Sequence, residues 1–186
     1  QYKLMVMAEQ YFRNRSDVQS KTNDVSNRSN TKIEHPILKK LIEQKINYLL
    51  ANPFTVSSKN KKYAEALNEV FDDTFRRKWK GFGRNAIKSG IGWLQPYFNE
   101  EGKLCIMKIP STEVIPLWRD AEHTILDGFI RFYDVIEYIG RKKTVRTKAE
   151  WWDSNGVQYF ISTGQGFIVD KDAGEDGKAS HFMLNG

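Results

Sequence analysis

One run of the sequence combines cations with aromatic side chains at helical spacing. Residues 75–84 read Phe-Arg-Arg-Lys-Trp-Lys-Gly-Phe-Gly-Arg. Basic residues interleaved with aromatic ones can hold a nucleic-acid backbone and stack its bases. On a helix, however, Phe75, Trp79 and Phe82 fall three and four residues apart, so they share one face and should be core. Two interpretations stay open, a solvated helix face and a polyanion contact. The candidate contact residues are Arg76, Arg77, Lys78, Lys80 and Arg84.

The remaining reactive side chains predict no catalytic centre and no cofactor. His35, His123 and His181 lie far apart, and no two are spaced as metal ligands on one element. Cys105 is the single cysteine and sits in an apolar run, which predicts a buried structural thiol. Gly81-Phe82-Gly83 lacks the preceding strand and the Gly-Lys-Ser/Thr ending of a phosphate loop. We therefore expect a protein that is not an enzyme.

The charge is divided unevenly along the 186 residues, whose net charge is +6. Residues 1–90 hold 18 Lys and Arg against 9 Asp and Glu, whereas residues 91–186 hold 11 against 14. This pattern predicts a polyanionic neighbour for the first half, or partner subunits that meet through complementary faces. No apolar run approaches the roughly 20 residues that span a bilayer, so we expect no membrane contact. The chain runs from Gln1 to Gly186, and we expect a piece cut at both ends.

The clearest helical period lies in residues 34–50. Its apolar positions are spaced by three and four and form one stripe: Ile37, Leu38, Leu41, Ile42, Ile46, Leu49 and Leu50. We expect this stripe to pack on the strands after Gly92. The cations on the opposite side, Lys39, Lys40 and Lys45, are candidates for a subunit-contact or DNA-proximal face.

The other elements predict an α+β fold, with N-terminal helices packed on an antiparallel β meander. Further helices are predicted at 1–12, 62–71 and 72–89. Strands are predicted at 54–57, 93–98, 104–109, 114–118, 128–139, 144–152, 157–163 and 167–169. Residues 13–33 are polar and predict a mobile arm, in which a solvated linker and phosphate contact are both possible. The predicted division is 1–33 for the first helix and arm, 34–169 for the α+β domain, and 170–186 for a polar tail.

Two adjacent tryptophans stand out in the predicted meander. Neighbouring residues of a strand point to opposite faces of the sheet. We therefore expect one of Trp151 and Trp152 to be core and the other to be a surface anchor for a neighbouring subunit.

Several segments taken in order resemble one known family. They are residues 9–12 (EQYF), 34–56 (EHPILKKLIEQKINYLLANPFTV), 68–73 (NEVFDD), 88–94 (KSGIGWL), 98–104 (FNEEGKL), 109–118 (IPSTEVIPLW) and 130–133 (IRFY). Together they resemble the N-terminal half of tailed-bacteriophage portal proteins, the head–tail connectors. The resemblance covers about residues 9–160, and it rests on the order and spacing of the segments.

The resemblance implies a wing-like module of a structural subunit without enzymatic activity. Portal proteins form a ring, usually of twelve copies, at one vertex of the capsid. The implied partners are other copies, capsid or scaffold protein, the terminase, the head–tail adaptor and the viral double-stranded DNA in the channel. The implied location is the virion, after assembly in the host cytoplasm. The alternative from the residues alone is a nucleic-acid-binding domain that uses the basic and aromatic helix.

Overall fold

The computed structural model describes residues 1–21, 31–52, 54–99 and 101–180. Its contacts divide the chain into two compact units, Gln1–Trp93 and Leu94–Gly186, which we call the helical unit and the sheet unit. Part of the predicted arm (22–30) and the end of the predicted tail (181–186, with His181) lie outside the described residues. The predicted division at residues 33 and 169 stays a prediction.

Four α-helices make up most of the described part of the helical unit. They are α1 (Tyr2–Phe12), α2 (Ile37–Leu50), α3 (Lys61–Val70) and α4 (Asp73–Ser89). Each of them coincides with a helix predicted from the sequence. A short 3-10 helix, Asp17–Ser20, lies within the predicted arm. The Ser16 hydroxyl and backbone N–H, just before it, both donate to Glu34, at 3.1 and 3.2 Å. These hydrogen bonds tie this part of the arm to the segment that leads into α2.

Helix α2 packs on α4 through its buried residues Ile42 and Ile46. A Cβ atom at Gly83 of α4 would lie 2.7 Å from Leu50 Cδ1 and 2.8 Å from Ile46 Cδ1, so the glycine permits the close approach of the two helices. The apolar stripe is only partly covered. Three of its members are more than half exposed, namely Ile37, Leu41 and Leu49. Within the helical unit, the stripe is therefore buried mainly where it meets α4.

The strand predicted at 54–57 is wrong, because within the described part of the chain these residues form no sheet ladder. The Phe54 ring instead packs edge-on against Phe71 and Phe75, with centroid distances of 5.8 and 5.9 Å. The cluster continues along α4, where Phe75 stacks on Trp79 and Trp79 stacks on Phe82. Packing of the Phe54 ring against aromatic side chains thus sets the path of this extended segment.

The sheet unit is antiparallel, as the sequence predicts. A hairpin joins β1 (Trp93–Phe98) to β2 (Leu104–Ile109), and a 3-10 turn, Ser111–Glu113, follows it. A second sheet has the order β3–β4–β5–β6–β7, and β8 also pairs with β6. Its strands are β3 (Val114–Trp118), β4 (Leu126–Ile139), β5 (Lys142–Asp153), β6 (Gly156–Thr163), β7 (Gly166–Val169) and β8 (Lys178–Ala179). The α+β class is confirmed, and the two-residue β8 lies in the segment predicted to be a polar tail.

One face of the larger sheet is closed by aromatic and charged side chains. Phe129 stacks on its cross-strand partner Trp152 at 5.5 Å, and Trp152 is 4% exposed. Arg131 lies opposite the buried Glu150, and its guanidinium group reaches Glu150 at 3.6 Å and Glu113 at 3.2 Å. We call this side, with Phe129, Arg131, Tyr133, Glu150 and Trp152, the closed face.

Hydrogen bonds and ring contacts satisfy the charges of the closed face. The Trp152 indole N–H donates to Glu150 at 3.0 Å, and the Arg131 guanidinium lies 4.3 Å from the centre of the Tyr133 ring. Burial, followed by the negative charge of Glu150, raises the pKa of Tyr133. Because a buried charge without a partner is costly, the paired acid and cation stabilise the register of β4 on β5.

Gly128 marks a close approach of β4 to the backbone of β5. A Cβ atom there would lie 2.4 Å from the carbonyl oxygen of Trp152. Gly128→Ala should therefore lower the free energy of unfolding by about 2 kcal/mol, because the backbone of β5 must move. Gly164→Ala is the control, since its Cβ would meet nothing within 4 Å, and it should change stability by less than about 0.5 kcal/mol. Chemical denaturation followed by circular dichroism measures both, and equal effects would contradict the prediction.

Candidate interaction surface of the helical unit

Helix α4 carries most of the predicted contact cations, and both of its ends are fixed. At its start, the Asp72 carboxylate accepts a hydrogen bond from the backbone N–H of Phe75 at 2.7 Å. This bond is the main cause that lowers the pKa of Asp72. At its end, Gly90 takes the left-handed conformation with φ +78°, which suits glycine after a helix. The cations between these ends therefore have defined positions.

Arg84 joins α4 to α2 through a bidentate ion pair. Its Nε and Nη2 atoms donate to the two carboxylate oxygens of Glu43, at 2.6 and 2.9 Å. The hydrogen bond from Arg84 lowers the pKa of Glu43, and the same interaction raises the pKa of Arg84. The two side chains are 34% and 29% exposed. The residue predicted to contact a polyanion thus holds two helices of its own chain together.

The other predicted cations of α4 lie on its first two turns, close to residues at the start of the helix. Arg76 pairs with Asp73 at 2.9 Å, and Arg77 donates to the Thr74 hydroxyl at 3.2 Å. The charge of Lys78 adds to the effects that lower the pKa of Asp72, after the hydrogen bond from Phe75. Lys80 is half-buried. Among the predicted cations of α4, Arg77 is the most open to a partner.

The cations of α2 stand on a more open part of the surface. Lys39, Lys40 and Lys45 are all exposed. The charge of Lys39 also lowers the pKa of Glu43, as a smaller effect than the hydrogen bond from Arg84. Glu43 therefore binds Arg84, whereas Lys39 and Lys40 are exposed to solvent. The predicted cations therefore differ in their surroundings. Arg84 and Arg76 form ion pairs within the chain, whereas Lys39 and Lys40 are exposed to solvent.

A second ion pair, which the sequence did not predict, holds α1 on α4. The Lys88 ammonium binds the carboxylate of Glu9, and it lies 5.1 Å from the centre of the Phe12 ring. Glu9 also accepts from Arg13 at 2.5 Å. Burial opposes ionisation of Glu9, but the hydrogen bonds from Lys88 and Arg13 outweigh it and lower its pKa. Glu9 and Lys88 are 79 positions apart, so helical periodicity carries no signal for their contact.

Neither a metal centre nor a membrane span is visible in the part of the chain that the structure describes. No three His, Cys, Asp or Glu side chains of these residues come together in a way that could hold a metal ion. None of the described helices is long and apolar enough to cross a bilayer. What the described residues do offer is a helical surface with exposed cations.

The comparison with known proteins decides the family. The family model described as "Phage portal protein, SPP1 Gp6-like" matches residues 1–183, which cover both units. The chain belongs to the phage portal protein family. It is 26% identical over 159 residues to the portal protein of Bacillus phage SPP1. This match covers 86% of this chain and 31% of that relative.

A second relative gives the same picture. The portal protein of Clostridium phage phiCD119 is 26% identical over 167 residues, which cover 80% of this chain and 37% of the relative. The chain thus spans about a third of the length of the curated portal proteins it matches. The family resemblance read from the sequence is confirmed.

In this portal-family chain, the Arg84–Glu43 pair should stabilise the helical unit. A double-mutant cycle with Arg84→Ala and Glu43→Ala should give a coupling energy of about 1 kcal/mol, because the pair is bidentate but partly open to solvent. The folded pKa of Glu43 is depressed, so this stabilisation exists above its unfolded pKa and is lost as the pH falls through the folded value. The coupling measured by denaturation should therefore be smaller at about pH 3 than at about pH 7.

Arg77→Ala is the control for this cycle. Arg77 is an exposed arginine of the same helix, and its side chain donates to Thr74. Combined with Glu43→Ala it should show no coupling. A coupling at Arg84 that is absent or independent of pH would contradict the role of the pair.

Proposed function

We propose that the chain is the wing-like part of a structural portal subunit. In the assembled ring it stands at one capsid vertex, through which viral DNA is packaged and later ejected. The observation that carries this proposal is the family match over residues 1–183, which includes the helices and the antiparallel sheets alike. The order of the matched segments along the chain supports it. The module acts by packing, without an enzymatic step of its own.

The proposed partners follow from a place in that ring. They are further copies of the same subunit, with twelve as the expected number, and the capsid or scaffold protein around them. A separate terminase that drives the DNA inward and a head–tail adaptor are the further proposed partners. The proposed location is the virion, with assembly in the host cytoplasm.

The exposed cations of the helical unit are proposed as a contact face. Lys39, Lys40 and Arg77 are exposed, and Lys78 and Lys80 lie on the same helix as Arg77. Their charge suits an acidic surface of a neighbouring subunit or the phosphates of nearby DNA. Arg84 and Arg76 are proposed as supports, since Glu43 and Asp73 already bind them.

Electron microscopy of the protein, in the length that the phage gene encodes, tests the main proposal. Purified protein should form closed rings with a central channel, and native mass spectrometry should give one copy number. Identical subunits with heterologous contacts close into such rings. A protein that stays monomeric at micromolar concentration, under conditions in which it is folded, would contradict the portal function.

Charge reversal tests the cationic face. Lys39→Glu with Lys40→Glu should weaken ring assembly or reduce the DNA packaged per particle, and the loss should depend on salt. Lys103→Glu with Lys171→Glu is the control, because it makes the same change in net charge at two exposed lysines of the sheet unit. Unchanged assembly and packaging in the Lys39 and Lys40 variant would mean that these lysines contact neither a neighbouring subunit nor DNA.

Binding of DNA has a separate measurement. If Arg77, Lys78 and Lys80 bind phosphate, their replacement by Ala should lower the affinity for random-sequence duplex. The slope of log affinity against log salt should then become shallower by about one for each phosphate that the variant no longer binds. An unchanged slope of log affinity against log salt would mean that these three residues do not bind phosphate. Binding to a neighbouring subunit would then be the remaining role of the face.

A further inference from the structure

The sheet unit has a second apolar face, opposite the closed one. Residues that lie opposite each other in an antiparallel ladder point to the same side. The register pairs Ile115 with Ile130, Ile130 with Trp151, Phe132 with Ala149 and Ile136 with Val145. The next strands add Phe160 and, beyond it, Phe167. We call this side the open face.

The open face is apolar across five strands. The rings of Phe132 and Phe167 approach to 6.0 Å between centroids, and Ala149, the cross-strand partner of Phe132, is buried. Asp134 is a carboxylate on this face, and the Thr147 hydroxyl across the ladder donates to it at 2.7 Å. Aromatic and branched side chains with few charges are the composition of a buried interface core.

Six residues of the open face, among them Tyr138 two positions after Ile136 on β4, keep much of their surface exposed. The exposed fractions are 50% for Ile115, 51% for Ile136, 70% for Tyr138, 54% for Val145, 41% for Trp151 and 46% for Phe167. At about 200 Å² for a large side chain, six such residues expose roughly 600 Å². The largest apolar patch of a typical monomer is about 300–600 Å², and a stable interface buries about 800 Å² on each partner. The open face therefore approaches the size of one side of a protein interface.

We propose that a second copy of this chain covers the open face in the assembled ring. This inference rests on the proposed function, in which identical subunits adjoin. The exposed area is close to what a stable pair of subunits needs. Charge also favours a copy as the occupant, because residues 1–90 hold an excess of nine cations and residues 91–186 an excess of three carboxylates. Copies that meet through different surfaces can bring these opposite charges together, and such heterologous contacts close rings.

Trp151 and the Ile136–Val145 pair are the anchors of this interface. Trp151 keeps 41% of its surface exposed, whereas its neighbour Trp152 is buried on the closed face. Tryptophan is among the residues that most often dominate binding energy. Ile136 and Val145 lie opposite each other on β4 and β5, and both are more than half exposed. A lysine there would place a charge in the buried contact while leaving the folded subunit intact.

The test compares Ile136→Lys with Ile168→Lys in the protein of encoded length. Ile168 is 55% exposed, is also an isoleucine in a strand, and lies in register with Ile161 on the other side of the sheet. Ile136→Lys should raise the concentration at which half of the subunits form rings at least about tenfold. Ile168→Lys should assemble as the wild type does. Mass photometry counts the rings, and thermal unfolding of the dissociated subunit shows whether the fold is unchanged.

Other outcomes overturn the inference in distinguishable ways. If the wild-type protein forms no ring, the proposed function fails, and this inference fails with it. If the wild type and Ile136→Lys assemble equally, only the inference fails. Normal rings that enter capsids poorly would assign the open face to capsid or scaffold protein. A lowered melting temperature of the dissociated Ile136→Lys subunit would mean that the face is covered within one chain. Trp151→Ser repeats the test at a second position.

Discussion

The alternation of side chains along β4 and β5 is the constraint on which the sheet unit depends. In β4, apolar residues occupy odd and even positions alike, whereas in β5 Val145, Ala149 and Trp151 lie on one side and Trp152 on the other. Apolar side chains therefore stand on both faces of the sheet. One face is closed by Trp152, Phe129 and the Arg131–Glu150 pair. The other leaves Ile136 and Trp151 exposed. Exposed apolar side chains on this scale often mark a surface for a partner, and we propose that a neighbouring subunit covers this one.

In the helical unit, ion pairs between helices contribute to the arrangement of the helices. Lys88 with Glu9 and Arg84 with Glu43 connect helices that are far apart in sequence, beside a modest number of buried apolar side chains. Such pairs are worth about 1 kcal/mol each where water reaches them. They fix which helix faces meet and leave the total stability to packing. They also bind two cations within the helical unit, while Lys39 and Lys40 of α2 and Arg77 of α4 stay exposed.

Much of the fold was predictable from local patterns. Asp72, Gly90, Gly140 and Gly156 are local signals, and the helix predicted at 72–89 and the strands predicted at 128–139 and 157–163 begin or end next to them. The strand at 54–57 was wrong, because an extended run needs a partner that local sequence does not reveal. The roles of Arg84 and Lys88 depend on residues 41 and 79 positions away. The open face could be recognised in the sequence, because Ile130, Phe132 and Ile136 alternate along β4 with Phe129 and Tyr133 of the closed face. That its side chains are exposed could be learned only from the structure.

The reactivity of a thiol on the open face within the assembled ring measures whether a neighbouring copy covers that face. With Cys105 replaced by Ser, the variants Ile136→Cys and Ile168→Cys are labelled with a water-soluble maleimide before and after assembly. If a neighbouring copy covers the open face, assembly slows labelling of the Ile136→Cys variant strongly and leaves that of the Ile168→Cys variant nearly unchanged. Equal labelling rates for the Ile136→Cys variant in free subunits and in rings would mean that no neighbouring copy covers the open face.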